Sequence, residues 1–254
     1  MVSITGSTRA CVALAFASAD TVKRVAHELG GKSAYIILRD ADLQQAVTAG
    51  VDACYVNCGQ TCRAPARMPV PSERMEDAKT YARAAAEAYR VGDPESDVQM
   101  GPVVNEAQWS RIQSLIQSGI DERATLVTGG VGRPEGLNRG WYIRPTVFAD
   151  VTPGMTIERE KTFGPVIALI PYDTEDDAIR IANDTVYGLS GYIQTPDIEK
   201  ARPIARKLRV GSIWINYADW DPSAPFGGYK QSGNGPEHGK WGLHDYLEVR
   251  LRTH

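Results

Sequence analysis

Long apolar runs are missing from this sequence. Blocks of lysine and arginine, a cysteine framework, internal repeats and low-complexity tracts are missing too. Without an uninterrupted apolar stretch near twenty residues, no transmembrane helix is expected. Lys and Arg number 28 against 31 Asp and Glu, for a net charge of −3. With no basic cluster, a nucleic-acid partner is not expected either. Four cysteines, three of them between positions 54 and 62, cannot build a disulfide scaffold. That usage suits a reducing compartment, so a cytoplasmic protein is expected. Ala10–Ala17 followed by Ser18-Ala19 imitates a secretory cleavage site. No basic segment precedes it, and a Gly6-Ser7-Thr8 turn opening a buried helix is the better reading.

What is present describes a globular protein. The 254 residues are 43% hydrophobic, enough for one large or two modest domains. Val2–Thr5 reads as a strand, Arg9–Ala19 as a helix and Val22–Leu29 as a strand ending in Glu28-Leu29-Gly30-Gly31-Lys32. Strand, glycine turn and helix form the unit whose backbone N–H groups can face a phosphate. Asp42 is placed to cap a helix. Leu43, Ala46, Val47, Val51 and Cys54 then follow the spacing of a buried face. Cys58 continues that series and Gly59 supplies the stop. Further on, Arg67–Val70 reads as a strand that Pro69 confines to a sheet edge. Helices are expected from Ser72 to Tyr89, after Asn105, from Thr174 to Thr185 and from Pro196 to Leu208. Strands are expected at Ala124–Thr128, Tyr142-Ile143, Thr146–Phe148, Val166–Tyr172, Leu189–Gln194, Ser212–Ile215 and Tyr246–Arg252. This alternation indicates an α/β fold with an open, mostly parallel sheet. Gly129-Gly130-Val131-Gly132 precedes no helical pattern and reads as a loop, not a phosphate cradle.

One stretch, Asn57-Cys58-Gly59-Gln60-Thr61-Cys62-Arg63, invites a chemical reading. Cys62 lies just past a helix-ending glycine, where a thiol is either a small buried apolar group or an exposed nucleophile. Cys54, Cys58 and Cys62 recur every four residues, but Gly59 breaks their face and zinc sites favour Cys-x2-Cys, so no metal is expected. Glu28 is either a solvated acid at a strand end or a functional carboxylate.

Several pieces, in one order along the chain, resemble the aldehyde dehydrogenase superfamily. They are Ile4-Thr5-Gly6-Ser7-Thr8, Glu28-Leu29-Gly30-Gly31-Lys32, Asn57-x-Gly59-Gln60-x-Cys62, Phe163-Gly164-Pro165 and Ala224-Pro225-Phe226-Gly227-Gly228-Tyr229-Lys230. The resemblance implies NAD(P)-dependent oxidation of an aldehyde to a carboxylic acid through a cysteine thiohemiacetal and thioester. It makes Cys62 the nucleophile and Glu28 the general base. Gly6, Ser7, Gly30, Gln108 and Phe163 become the contacts of NAD or NADP, and the backbone N–H of Cys62 becomes one oxyanion donor. It further implies three segments. Residues 1–30 would be a remnant of the dinucleotide domain and 31–237 the catalytic thiol domain. Residues 238–254 would be a C-terminal segment whose edge strand builds a homo-oligomer. Because the match starts inside the dinucleotide domain, cofactor binding by this stretch alone is expected to be weak. A cofactor-free thiol esterase, or a non-catalytic relic that joins other subunits, are the alternatives. Two positions depart from the family pattern. Lys161 stands where a carboxylate holds the nicotinamide ribose, and Cys11 stands where a glycine lets backbone pass close.

Overall fold

The computed structural model describes residues 1–253. In chain order the elements are β1 (Val2–Gly6), α1 (Thr8–Ser18), β2 (Val25–Leu29), β3 (Ala34–Ile37), α2 (Leu43–Tyr55), β4 (Arg67–Pro71), α3 (Met75–Glu87) and α4 (Glu106–Asp121). Next come β5 (Thr125–Thr128), β6 (Thr146–Ala149), α5 (Thr156–Arg159), β7 (Val166–Tyr172) and α6 (Glu175–Asn183). The chain then forms β8 (Ser190–Gln194), α7 (Ile198–Lys207), β9 (Ser212–Ile215), β10 (Gly233–Asn234) and α8 (Gly239–Asp245).

The helix starts follow from side chains that accept orphan backbone donors. Ser7 accepts from the Ala10 N–H, Asp42 from Gln45 and Asn105 from Gln108. Thr174 and Asp177 close a reciprocal capping box at the head of α6. The periodic face of α2 is buried at Leu43, Ala46, Val47, Val51 and Cys54 as its spacing requires.

Seven strands form the main sheet in the order β5-β6-β7-β4-β3-β8-β9. All neighbours run parallel except β5 and β6. Helices cover the sheet, and its strands are buried along most of their length, so they read as continuous apolar runs. This is the expected open α/β sheet. A smaller sheet pairs β1 parallel to β2, and β10 antiparallel to the other side of β2. The N-terminal unit thus takes its third strand from residues 233–234, across the expected segment boundary at residue 30.

Four local expectations are corrected. β4 lies at the centre of the main sheet, not at an edge. It pairs with β7 over five residues, but with β3 only at Ala34 and Arg67. The Arg67 N–H donates towards β3. In a parallel strand alternate residues share a side, so Pro69 and Pro71 turn their missing donors to that same neighbour. β3 itself has no alternation and was not anticipated. Tyr142-Ile143 forms no strand. Nor does Tyr246–Arg252, where Val249 and Leu251 lie exposed.

Candidate active site

α2 ends at Tyr55, earlier than its apolar series suggests. Asn57, Cys58 and Gly59 then adopt left-handed φ of 52°, 57° and 70°. Two consecutive non-glycine residues in this region store backbone strain that surrounding contacts must offset. The Asn57 side chain donates to the Gln60 carbonyl, and the Cys58 thiol to the Gly101 carbonyl at 3.2 Å. The Gln60 side-chain oxygen accepts from the Val104 N–H at 3.0 Å. At Gly59 a Cβ would sit 2.1 Å from the Gly164 carbonyl oxygen, so glycine is required by both conformation and space. The turn therefore fixes Cys62 against the segment that carries Phe163. Cys58 leaves the helix face and packs beneath this turn. Cys54 stays in the core, where burial pushes its thiol up to about 12.

Glu28 arrives from the other sheet, at the carboxyl end of β2, in register with Gly233 of β10. The turn after it is tied to the Cys62 segment. The Gly31 N–H donates to the Cys62 carbonyl at 3.0 Å, and Ser232 Oγ donates to the Gly30 carbonyl at 2.9 Å. Glu28 is 5% exposed, and neither carboxylate oxygen has a hydrogen-bond partner among the described residues. Burial, with the nearby Glu237 carboxylate, raises its pKa from 4.5 to about 7 against the opposing Lys161 ammonium. Cys62 is half-buried. Burial and the Glu28 carboxylate push its thiol above the ordinary value, while Lys161 and the Arg63 N–H pull it down. The resting pair is therefore a neutral thiol beside a carboxylate that titrates near neutrality.

A cavity of about 630 Å³ joins these elements. Its wall contains every residue anticipated from the sequence: Cys62, Glu28, Gly6, Ser7, Gly30, Gln108 and Phe163. Their local roles are more specific than expected. Ser7 caps α1. The Gln108 amide donates to the carbonyls of Phe163, at 2.8 Å, and Thr162, at 3.1 Å. It thereby holds Phe163 at a left-handed φ of 52°. The backbone N–H of Cys62 donates to no protein acceptor among the described residues.

Lys161 proves central. Its Nζ donates to the Cys62 carbonyl at 3.3 Å, lies 4.9 Å from the centre of the Phe163 ring, and packs over Gly30, where a Cβ would meet it at 1.7 Å. Burial lowers its pKa to about 8 against the attraction of Cys62 and Glu28. Glu237 was not anticipated, because only the β10–β2 pairing brings it near Glu28.

Buried polar residues support the site. Arg67, 1% exposed, pairs with Glu158 at 2.9 Å and donates to the carbonyls of Lys32, Ile181 and Ala182. Lys32 in turn donates to Thr162 Oγ1 at 3.2 Å. No group of three metal-ligating side chains occurs among the described residues, and no helix is long and apolar enough to cross a membrane.

For a dinucleotide, the fit differs along the cavity. The start of α1 presents backbone donors beside Gly6 and Ser7, which suits a phosphate. Gly6 keeps its approach open, with Cys11 Sγ no nearer than 3.9 Å to the place of a Cβ. The Lys161 ammonium, by contrast, cannot accept a hydrogen bond from a ribose hydroxyl.

Comparison with known proteins follows the same lines. The sequence profile of the Aldehyde dehydrogenase family matches residues 1–251. A 3-succinoylsemialdehyde-pyridine dehydrogenase from Pseudomonas sp. is 49% identical over 251 residues, covering 98% of this chain and 53% of that protein. The crystal structure of an aldehyde dehydrogenase C mutant from Pseudomonas syringae, in complex with NAD+ and octanal, superposes with a TM-score of 0.96 at 52% identity. That match covers 98% of this chain and 51% of that one. The Mycobacterium tuberculosis aldehyde dehydrogenase complexed with NAD+ gives a TM-score of 0.92 at 45% identity, covering 96% and 50%. The chain spans about half the length of the relatives it matches.

Proposed function

The chain belongs to the aldehyde dehydrogenase family, and from that premise we propose that it carries the thiol chemistry of NAD(P)-dependent aldehyde oxidation. One observation carries the reading: Cys62, on the turn after α2, and Glu28, at the end of β2, face one cavity with the Gly6-Ser7 turn. Glu28, titrating near 7, takes the proton of the Cys62 thiol. The thiolate attacks the aldehyde carbon, and the oxygen of the resulting thiohemiacetal meets the free N–H of Cys62. A bound nicotinamide supplies the hydride acceptor. Glu28 passes the thiol proton to solvent and then removes a proton from the water that hydrolyses the thioester left on Cys62, releasing the carboxylic acid. Gly6, Ser7 and Gly30 hold the dinucleotide, while Gln108 fixes Phe163 at its nicotinamide end. The NAD+ complexes of the relatives support the cofactor class, and the octanal complex supports an aldehyde substrate.

A second reading has its own support. With Lys161 at the ribose position, the same thiol and carboxylate suit ester hydrolysis without a cofactor. One experiment tests the step that both share. With p-nitrophenyl acetate, the chain should release a burst of p-nitrophenolate equal to its Cys62 content. Cys62→Ala should abolish the burst. Glu28→Gln should slow the burst, because Glu28 takes the thiol proton, and also the turnover that follows, because it assists the hydrolysis. Equal release by wild type and Cys62→Ala would remove both readings. NADH formation at 340 nm on adding an aldehyde and NAD+ then separates them. Homo-oligomerisation through Tyr246–Arg252 belongs to the same proposal, since this exposed segment, alternating apolar and charged, has no strand partner among the described residues.

A further inference from the structure

Arg63 directly follows the nucleophile, and its backbone is committed. Its N–H points to the Cys62 sulfur, and its carbonyl accepts from the Tyr192 hydroxyl at 3.2 Å. The head group lies on aromatic faces, with the guanidinium carbon 5.0 Å from the centre of Trp220 and 5.3 Å from that of Trp214. These rings belong to a larger wall. Trp214 stacks on Tyr192 at 5.2 Å and lies 6.2 Å from Trp220, which meets Phe226 at 5.2 Å and His238 at 5.4 Å. Indole faces orient a guanidinium but accept no N–H hydrogen bond of ordinary strength. Among the described residues, no carboxylate lies within 4.0 Å of the Arg63 head group and no oxygen accepts from it. A half-buried, aromatic-held guanidinium thus keeps a free donor fork on the residue that follows Cys62.

We propose that Arg63 binds a carboxylate carried by the aldehyde, so that the substrates are oxo acids with an aldehyde at one end and a carboxylate at the other. This deepens the proposed function and rests on Cys62 being the nucleophile. The planar fork matches a carboxylate in two parallel hydrogen bonds. Trp214 and Trp220 cover the carbon chain between the two ends. Lys161, Arg9 and Arg111 are cations of the cavity that Cys62 shares with Glu28 and Gly6, whereas Arg63 leans towards the tryptophan wall.

The test uses thiohemiacetal formation, which needs no cofactor. The S–C bond forms as the carbonyl π bond opens, and the thiol proton ends on oxygen. Reversible capture of this kind shields Cys62 from iodoacetamide, which peptide mass spectrometry quantifies. A charge-assisted bidentate contact should let 4-oxobutanoate half-protect Cys62 at a concentration at least about tenfold below that of butanal. Arg63→Gln should erase the advantage and Arg63→Lys should keep part of it. Equal protection by both aldehydes in the wild type overturns the proposal. So does an advantage that survives Arg63→Gln, and if Lys161→Met then removes it, the carboxylate belongs to Lys161. Absence of aldehyde protection altogether sinks the nucleophile assignment instead. For that case the Cys62→Ser chain gives an independent readout. Butanoate, and not butanamide, should quench its tryptophan fluorescence, and adding Arg63→Gln should abolish the quench. Equal quenching by both compounds, or none by butanoate, counts against Arg63.

Discussion

Glu28→Gln should make the protein more stable, by an amount that depends on pH. Burial without a hydrogen-bond partner raises the Glu28 pKa from 4.5 to about 7. Between these values the folded chain binds more protons at this site than the unfolded chain does. Stability therefore falls as pH rises from about 4.5 to about 7 and is flat above. At 1.36 kcal/mol per unit, the shift corresponds to a cost of about 3 kcal/mol at pH 8. Glutamine has the same shape and cannot ionise. Its amide leaves polar atoms unpaired much as the protonated acid does, so the two states should be comparable near pH 4. For a chain of this size about 3 kcal/mol is worth roughly 6–12 °C in Tm. Thermal melts of both proteins from pH 4.5 to 8.5 provide the assay, read as the difference in Tm so that other titrating groups cancel. The difference should grow through pH 5–7 and then level. In the wild type, hydrolysis of the acyl-enzyme should rise with an apparent pKa near 7, and Glu28→Gln should lose that rise. A Tm difference independent of pH would refute the reasoning, because an ionised Glu28 would then be no worse accommodated than glutamine.

Lys161 should control how Glu28 titrates. Since its ammonium, with a pKa of about 8, is still charged where Glu28 titrates and lowers the Glu28 pKa, Lys161→Met should move the pH midpoint of acyl-enzyme hydrolysis upward. An unchanged midpoint would remove Lys161 from the site's electrostatics. Lys161→Glu should tighten NAD+ binding by about tenfold, the value of one regained charge-assisted hydrogen bond, measured by equilibrium dialysis. Looser binding would contradict the ribose assignment. Arg67→Met should cost about 3–5 kcal/mol in urea denaturation, because it leaves the buried Glu158 carboxylate with only the more exposed Arg159 and strips the carbonyls of Lys32, Ile181 and Ala182 of their donor. Adding Glu158→Leu should recover much of the loss. A cost below about 1 kcal/mol would mean that the pair is solvated in a way that its burial excludes.

The site was unusually legible because its key groups sit in short backbone motifs. Asn57-x-Gly59-Gln60-x-Cys62 holds a left-handed turn in which Asn57 bonds locally to Gln60, while Cys58 and Gln60 reach Gly101 and Val104. Glu28-Leu29-Gly30-Gly31 is a strand end whose glycines pass under Lys161 and against Leu189. The errors arose where a distant partner decided the outcome. Pro69 reads as an edge residue until β7 is seen to supply the ladder on the side that has donors. The apolar series of α2 runs on to Cys58, but packing of Gly59 on Gly164 ends the helix at Tyr55. Tyr246–Arg252 alternates like a strand, yet alternation makes a strand only where a neighbour offers hydrogen bonds.

By itself the sequence determined the α/β class, the caps that start the helices, and the short motifs that carry the candidate thiol and carboxylate, since each depends on residues close in the chain. Tertiary structure alone decided that these groups share one cavity and how they are charged. Burial of Glu28, the Glu237 carboxylate reached through β10, and the Lys161 ammonium 99 residues beyond Cys62 set those pKa values. Desolvation and Coulomb energy depend on distance through space, which the order of residues does not state.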